Sequence, residues 1–299
     1  MSAPPLVIDL DGTLLRSDIL IESGFTFIKE NPTRLLAPFR WLLNGKASLK
    51  SQLAESTKLD VTVLPYDQEV IELVRQERAG GRQIILATAS HEIYANQIAE
   101  HLGLFDQVFA TNDSTNLSKQ NKRDLLVEKF GEKGFDYAGN SHDDLPAWSA
   151  ARKAYLVNPE AGVVSKAGEI ADVEHIVYSR PRQIKAWIKA LRIHQWVKNL
   201  LLFVPLFASH QIGDINLLMN GAMAFLFFGL CASSVYLLND LLDLEDDRHH
   251  SSKRNRPLAS GALPLKSGLL LFPALLLTAF VGAWFVLPWK FTVALFVYY

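Results

Sequence analysis

Leu6-Val7-Ile8-Asp9-Leu10-Asp11-Gly12-Thr13-Leu14 is the stretch that decides how the first half of this 299-residue chain is read. Leu6 to Ile8 form a short apolar run, which predicts a buried strand, and two carboxylates follow it directly. The same kind of run returns at Ile84-Ile85-Leu86-Ala87 before Thr88, at Val108-Phe109-Ala110, at Phe135-Asp136-Tyr137-Ala138 before Gly139, and at Ala154-Tyr155-Leu156-Val157 before Asn158-Pro159. Helical patterns such as 93–102 and 123–130 lie between these runs. Strands that alternate with helices predict an α/β, Rossmann-like parallel sheet with crossover helices. Residues 15–80 read as mostly helical, with Leu35, Leu36, Phe39, Leu42 and Leu43 at three- and four-residue spacing, and Gly80-Gly81 closes that stretch.

Polar residues just past strand C-termini line the site in such sheets. Asp9 and Asp11 follow the first strand, Thr88 the second, and Asn140, Asp143 and Asp144 the fourth, while Lys122 starts a helix. Two carboxylate clusters can hold a hard cation such as Mg2+. A carboxylate beside that cation can attack phosphorus, and a hydroxyl and an ammonium can neutralise the phosphoryl oxygens. His91 and His142 lie nearby in sequence but have no second histidine or cysteine at metal spacing, and they read as ordinary loop residues.

This ordered set resembles the haloacid dehalogenase superfamily. The resemblance rests on the DxDGT run at Asp9 to Thr13, on Thr88, on Lys122 ahead of Asp124-Leu125-Leu126, and on Gly139-Asn140-Ser141-His142-Asp143-Asp144. It covers roughly residues 5–178 and implies a hydrolase domain over 1–178, with residues 15–80 as a helical cap that screens the site from water. By the resemblance Asp9 is the nucleophile, Asp11 the general acid/base, Thr88 and Lys122 the phosphate ligands, and Asp144 a holder of magnesium. Asn140 stands where many relatives carry Asp. Its amide oxygen is a weaker ligand, for which Asp143 and Asp144 would compensate.

The second half differs in charge. Asp, Glu, Lys and Arg make up 49 of the first 198 residues but 12 of the last 101, and nine of those twelve lie between Asp240 and Arg256. The overall formal charge of −1 argues against a nucleic-acid partner. The single cysteine, Cys231, excludes an intramolecular disulfide, and the segment from Met1 to Pro5 lacks the basic start of a cleaved signal peptide. Residues 215–238 and 268–289 are long enough and apolar enough to cross a bilayer. Basic residues cluster in a juxtamembrane segment, 179–198, which holds Arg180, Arg182, Lys185, Lys189, Arg192 and Lys198. They cluster again at Arg248, Lys253, Arg254, Arg256 and Lys266. Placing both clusters in the cytoplasm requires residues 199–209 to cross as well; a re-entrant segment there would put the acidic loop outside. The expectation is an all-α transmembrane helical domain after the α/β domain. The protein would then be a multi-pass integral protein of a bacterial-type inner membrane with its N-terminal domain cytoplasmic.

Between the second and third of these segments the chain reads Asn239-Asp240-Leu241-Leu242-Asp243-Leu244-Glu245-Asp246-Asp247-Arg248. On one continuous helix Asn239, Asp240, Asp243 and Asp247 fall within an arc of about 100°. Like charges so placed repel unless a cation sits among them, and Mg2+ bridging a diphosphate is a natural partner. Lys253 and Arg256 follow and can bind phosphate.

The NDxxDxxxD pattern, the KxxRP run from Lys253 to Pro257 and the entry segment His194-Gln195-Trp196-Val197-Lys198-Asn199 together resemble the UbiA superfamily of membrane prenyltransferases. The likeness is strongest to its polyprenyl-phosphate phosphoribosyltransferase branch. The resemblance implies a Mg2+-dependent transfer involving a polyprenyl phosphate or diphosphate lipid, with a soluble diphosphate or an aromatic acceptor as co-substrate. Asn239, Asp240, Asp243 and Asp247 would hold the metal, assisted by Lys253 and Arg256. The family has a second aspartate motif that is not found here, and the apolar run 291–299 is too short to span. Residues 199–299 are therefore expected to be the N-terminal, incomplete part of such a domain, inactive alone as a transferase. The alternative reading is a non-catalytic, haloacid dehalogenase-like regulatory or scaffold module with a membrane anchor.

Overall fold

The computed structural model describes residues 3–181 and 183–299; Met1, Ser2 and Arg182, the last counted above in the basic segment, lie outside the described residues. The chain divides into two compact units, Met1–Arg180 and Pro181–Tyr299.

The first unit runs β1 (Leu6–Ile8), α1 (Ile19–Glu30), α2 (Ala37–Leu43), α3 (Lys46–Ser56), α4 (Gln68–Ala79), β2 (Ile84–His91), α5 (Glu92–Leu102) and β3 (Gln107–Thr111). It continues through α6 (Gln120–Phe130), β4 (Asp136–Gly139), α7 (Leu145–Ala150), β5 (Lys153–Val157), α8 (Val163–Ile170) and β6 (Asp172–Val177). The six strands form one sheet in the order β3-β2-β1-β4-β5-β6, with every pairing parallel. The chain winds outward from β1 through β2 to β3, then returns to β4 on the other side of β1. That reversal opens a crevice at the C-terminal ends of β1 and β4, where open α/β sheets bind ligands.

Alternation along β1 builds both faces of the core. Leu6 and Ile8 pack with Ile84, Leu86 and Tyr94 on one face. Val7 packs with Ile85, Tyr137 and Trp148 on the other. Helix α4 lies within the stretch expected to form the cap, yet its Val70, Ile71 and Val74 belong to the sheet core. Ile19 of α1 and Ala54 of α3 join the same core, whereas α2 buries none of its residues. The apolar spacing in 35–43 does form a helix, but Leu35, Leu36, Phe39, Leu42 and Leu43 are all exposed rather than packed into a cap core. Strand β2 runs past Thr88 to His91, and β6 was not expected at all. Its sequence, Asp-Val-Glu-His-Ile-Val, lacks the apolar run of a central strand because it forms an edge.

The second unit runs α9 (Gln183–Ala190), a 3-10 stretch (Ile193–Phe203), α10 (Val204–Ala208), α11 (Ile215–Leu242) and α12 (Leu244–His249). A 3-10 turn (Lys253–Asn255), α13 (Leu265–Val286) and α14 (Trp289–Tyr298) complete it. Among the described residues two helices, α11 and α13, are long and apolar enough to cross a membrane. They pack closely because small residues line the contact: a side chain on Gly282 would sit 2.3 Å from the Phe227 ring, and Ala279 and Ala283 are fully buried. The third crossing expected over 199–209 is not one long helix; it is the end of the 3-10 stretch followed by one turn and a half of α-helix. Trp196 anchors this entry segment against α11. Its ring fills the space a side chain on Gly229 would need, and its indole nitrogen donates to Ser233 Oγ at 3.1 Å.

One buried ion cluster ties the N-terminal end of β4 to its neighbours. The fully buried Asp136 carboxylate accepts from Arg82 Nη2, from Arg152 Nε at 2.9 Å and from the Lys153 backbone at 3.1 Å. Arg82 is itself buried and also reaches Glu77 at 3.1 Å and the Pro4 carbonyl at 2.6 Å. Removing one member of such a pair strands the other charge and costs about 3–5 kcal/mol. Asp136→Ala is therefore expected to lower the denaturant midpoint of the first unit sharply. Arg152→Ala, whose side chain is partly exposed, should lower it much less. Equal effects in equilibrium unfolding would contradict this ordering.

Candidate functional site

The crevice between β1 and β4 gathers the chemistry of the first unit. Asp9 leaves the end of β1 and is nearly buried. Its Oδ1 accepts from Lys122 Nζ at 2.6 Å. The buried ammonium, carried on the first turn of α6, also donates to Tyr137 Oη at 2.9 Å and lies 3.7 Å from Asp144 Oδ1. Tyr137 Oη in turn donates to Asp144 Oδ1 at 2.7 Å. Asp9, Lys122, Tyr137 and Asp144 thus form one closed network drawn from β1, α6, β4 and the turn after β4.

Gly12 turns the chain back after the two carboxylates, with φ of +81°. A side chain there would lie 2.3 Å from the Asn140 amide nitrogen, so only glycine lets the β1 loop close on Asn140. Thr13 Oγ1 donates to Asn140 Oδ1 at 3.4 Å. Asp11 is held from both sides: Oδ1 accepts from the Ile19 backbone at 2.8 Å, at the start of α1, and Oδ2 accepts from Ser90 Oγ at 2.6 Å. The backbone of Ser90 donates to Thr88 Oγ1 at 2.9 Å. The register of β2 against β3 shifts between Ala87 and His91, and Thr88 and Ser90 lie within that irregular stretch.

Asp9, Asp11, Thr88, Lys122, Asn140 and Asp144 are therefore placed around the strand ends by direct bonds or by one intermediary. Asp144 works largely as a cap: its Oδ2 accepts from the backbones of Asn140 and Ser141, both at 3.0 Å. Asp143 does not join the network. Its side chain is 62% exposed and pairs with Lys119 at 3.3 Å. His91 caps α5 and His142 meets the Ala161 carbonyl at 3.2 Å. Sequence reasoning missed three contributors, Ser90, Tyr137 and Lys50. Lys50, on α3, donates to the Ala89 carbonyl at 2.6 Å and to Asn116 Oδ1 at 2.8 Å, so it ties the helical insertion to the loops beside Thr88.

Burial governs the electrostatics. It pushes the Asp9 carboxyl up to about 7 against the pull of Lys122, and it pushes Asp11 up to about 6 with the Asp18 charge adding to the effect. Burial would lower Lys122, but the carboxylates of Asp9 and Asp144 prevail and hold its proton more tightly than usual. Such a site asks for further positive charge. Among the described residues no group of three or more His, Cys, Asp or Glu side chains could hold a metal. Asp9, Asp11 and Asn140 nevertheless supply hard oxygens of the kind Mg2+ takes together with water and phosphate oxygens.

The acidic motif of the second unit is built differently from the single helix face expected. Helix α11 ends at Leu242, Asp243 leaves helical geometry with ψ of 20°, and α12 starts at Leu244. Backbone bonds still pass through the break: Asp243 N donates to Asn239 O at 3.0 Å and Asp247 N to Asp243 O at 2.8 Å. Asp240 and Asp247 are buried and share one guanidinium. Arg256 Nη1 donates to Asp240 Oδ1 at 3.2 Å and to Asp247 Oδ2 at 2.8 Å. Arg192, counted above only as a basic juxtamembrane residue, donates to Asp240 Oδ1 at 2.8 Å and stacks 4.3 Å over the Tyr236 ring. Asn239 and Lys253 are exposed, and Asp243 is half-buried. The repulsion foreseen among these carboxylates is thus relieved in this structure by two arginines.

A cation held at Asp9 would compete with the proton there. In the folded protein this carboxyl holds its proton up to about pH 7, so the apparent affinity for Mg2+ must fall as pH drops below that value. Since an ion that binds only the folded state raises its stability, Mg2+ is expected to raise the unfolding temperature of the first unit at pH 8 and to leave it unchanged at pH 5. Without the ion the sign reverses. The folded state keeps protons that the unfolded chain has released, so its stability falls as pH rises from about 4 to about 7. Equal Mg2+ shifts at both pH values in a thermal melt would contradict this assignment.

Comparison with known proteins matches both halves. Residues 6–149 match the family model of haloacid dehalogenase-like hydrolases, and residues 200–299 match that of the UbiA prenyltransferase family. The uncharacterized protein y4nM of Sinorhizobium fredii is 38% identical over 295 residues, which is 98% of this chain and 57% of that one. Decaprenyl-phosphate phosphoribosyltransferase of Mycobacterium tuberculosis is 40% identical over 120 residues, 38% of this chain and 40% of its own. This chain therefore spans little more than half the length of the first relative and less of the second. A haloacid dehalogenase family hydrolase from Salmonella enterica superposes with a TM-score of 0.43 at 15% identity, covering 59% of this chain and 69% of its own. By the family models, the chain is thus similar to haloacid dehalogenase-like hydrolases over residues 6–149 and to the UbiA prenyltransferase family over residues 200–299.

Proposed function

We propose that the first unit is a Mg2+-dependent phosphatase that works through an aspartyl phosphate on Asp9. The observation that carries this reading is the buried Lys122 ammonium bonded to Asp9 at the end of β1, beside Asp11, Thr88 and Asn140. Asp9 attacks the phosphorus of a phosphate monoester and the bond to the alcohol oxygen breaks. Asp11, whose carboxyl is pushed up to about 6, can deliver a proton to the departing oxygen near neutral pH. It then takes a proton from the water that attacks the aspartyl phosphate and releases inorganic phosphate. Lys122 and Thr88 neutralise the phosphoryl oxygens through both steps. Asp9, Asp11 and Asn140 would hold Mg2+, which supplies charge stabilisation on the transferring phosphoryl group. Asp144 supports them by fixing the turn after β4, and Asp143, as placed, stays outside this set.

The second unit, by this reading, belongs to an integral membrane transferase that grips a diphosphate. Asp240, Asp243 and Asp247, with Asn239, would hold magnesium, and Arg192, Lys253 and Arg256 offer cations to the phosphates. The M. tuberculosis relative is a decaprenyl-phosphate phosphoribosyltransferase. This favours transfer of a phosphoribosyl group from a soluble diphosphate to a polyprenyl phosphate over transfer of a prenyl chain to an aromatic acceptor. Both basic segments would face the cytoplasm of a bacterial-type cell, the side on which the fused phosphatase would also lie. Such a transfer leaves a 5-phosphate on a lipid-linked sugar, and a phosphatase on the same chain could remove it at high effective concentration.

Membranes containing the full-length protein, supplied with phosphoribosyl diphosphate and polyprenyl phosphate, provide the test. Asp9→Asn should leave transfer intact and let the phosphorylated lipid accumulate, while Asp240→Ala should abolish transfer itself. An unchanged ratio of phosphorylated to free product with Asp9→Asn would rule out the coupling and favour a regulatory or scaffold role.

A further inference from the structure

The helical insertion of the first unit carries an apolar surface that the hydrolytic site does not use. Helix α2 and the turn before it read Leu35-Leu36-Ala37-Pro38-Phe39-Arg40-Trp41-Leu42-Leu43. Leu36 and Phe39 are each 67% exposed and Leu43 is 87% exposed, with Leu35 and Leu42 close to half. Scattered exposed leucines are ordinary in a soluble protein, but a contiguous set of this kind marks an interaction surface. Trp41 turns inward and meets Phe27 edge-on at 4.9 Å. Arg34 lies 5.6 Å over the Phe27 ring and 6.0 Å over that of Trp41. These contacts fix the base of the helix and leave its leucines and Phe39 directed away from the core.

Charge identifies the partner. From Asn31 to Ala54 the chain holds Arg34, Arg40, Lys46 and Lys50 and no Asp or Glu. Arg34, Arg40 and Lys46 are exposed around the apolar surface, whereas Lys50 is partly buried against the loop beside Thr88. Leucine and phenylalanine on one surface, in a segment from Asn31 to Ala54 that carries basic residues and no carboxylate, match the boundary between anionic headgroups and acyl chains. A bilayer is also the surface always within reach, because the same chain carries two helices long and apolar enough to span one.

We propose that α2 and the turn before it form a membrane-interface anchor. Leu36, Phe39 and Leu43 enter the outer acyl region of an anionic leaflet, and Arg34, Arg40 and Lys46 lie at its phosphates. Lys50 and Ser51 couple this anchor to the hydrolytic crevice, since α3 bonds to Ala89, Asn116 and Asp113. Docking at α2 would therefore be linked through α3 to the loops beside Thr88. The inference stands on the exposed surface and its charge, and it holds whichever phosphate the crevice cleaves.

The test uses the full chain on a Cys231→Ala background in lipid nanodiscs. A polarity-sensitive fluorophore is placed at Leu43→Cys or, as a control on the exposed face of α6, at Glu128→Cys. In discs containing phosphatidylglycerol, the Leu43 label should shift to the blue and be quenched by spin-labelled lipid, and the Glu128 label should do neither. Arg34→Glu with Arg40→Glu should cut that quenching at least about twofold, because each basic residue near an anionic surface adds measurably to binding. An unfolding temperature matching the parent confirms that the variants fold. A Leu43 label that behaves like the Glu128 label would overturn the proposal. So would a blue shift without quenching by lipid, which would mean that a protein covers the surface. A blue shift in amphipol that grows with protein concentration would instead assign the surface to a second copy of the chain.

Discussion

The Lys122 ammonium is the charge on which the first unit's site depends. It is buried among Asp9, Tyr137 and Asp144 and is held on α6, 113 residues from Asp9 in sequence. Taking that charge out of water is costly, and only the surrounding oxygens make it tolerable. The same arrangement fixes the ends of β1 and β4 relative to each other. It also leaves Asp9 in a place so dry that its carboxyl keeps a proton near neutrality. Burial raises both carboxyls; Lys122 opposes it at Asp9, while hydrogen bonds from Ser90 and the Ile19 backbone, with the Lys50 charge, oppose it at Asp11. A divalent ion would supply the positive charge that this crevice of carboxyl groups lacks.

The second unit solves a similar problem with other residues. Asp240 and Asp247 are brought together at the break between α11 and α12, and Arg256 and Arg192 neutralise them. In both units buried carboxylates are paired with cations that can also recognise phosphate. Arginine suits the second because its fork can span two carboxylates at once, which a lysine ammonium cannot do with the same geometry.

Much of this was legible from residue order. The strand runs at Leu6, Ile84, Val108, Phe135 and Ala154 announced five of the six strands, and Asp9, Asp11, Thr88, Lys122 and Asn140 stood where a parallel sheet collects its chemistry. The sixth strand escaped because an edge strand needs no apolar run. Ser90 escaped because β2 was expected to stop at Thr88, and Tyr137 because an aromatic residue in a strand reads first as core. Asp143 and Asp144 are adjacent in sequence, but successive residues of a 3-10 turn point apart, and only Asp144 is drawn into the network. Arg192 could not be told from its basic neighbours beside a membrane, where any cation is at home. The exposed leucines of α2 had the spacing of a buried face, and spacing alone cannot say whether the surface that covers them is protein or lipid.

The central claim is that Asp9, activated in this buried network, takes up the phosphoryl group. Full-length protein incubated with Mg2+ and a small aryl phosphate, quenched in acid and digested, allows a direct test by mass spectrometry. The account predicts that the peptide containing Asp9 gains the mass of one phosphoryl group, and that hydroxylamine removes it. Turnover of the aryl phosphate with that peptide unmodified at every quench time, and a phosphoryl group found on another residue, would contradict it.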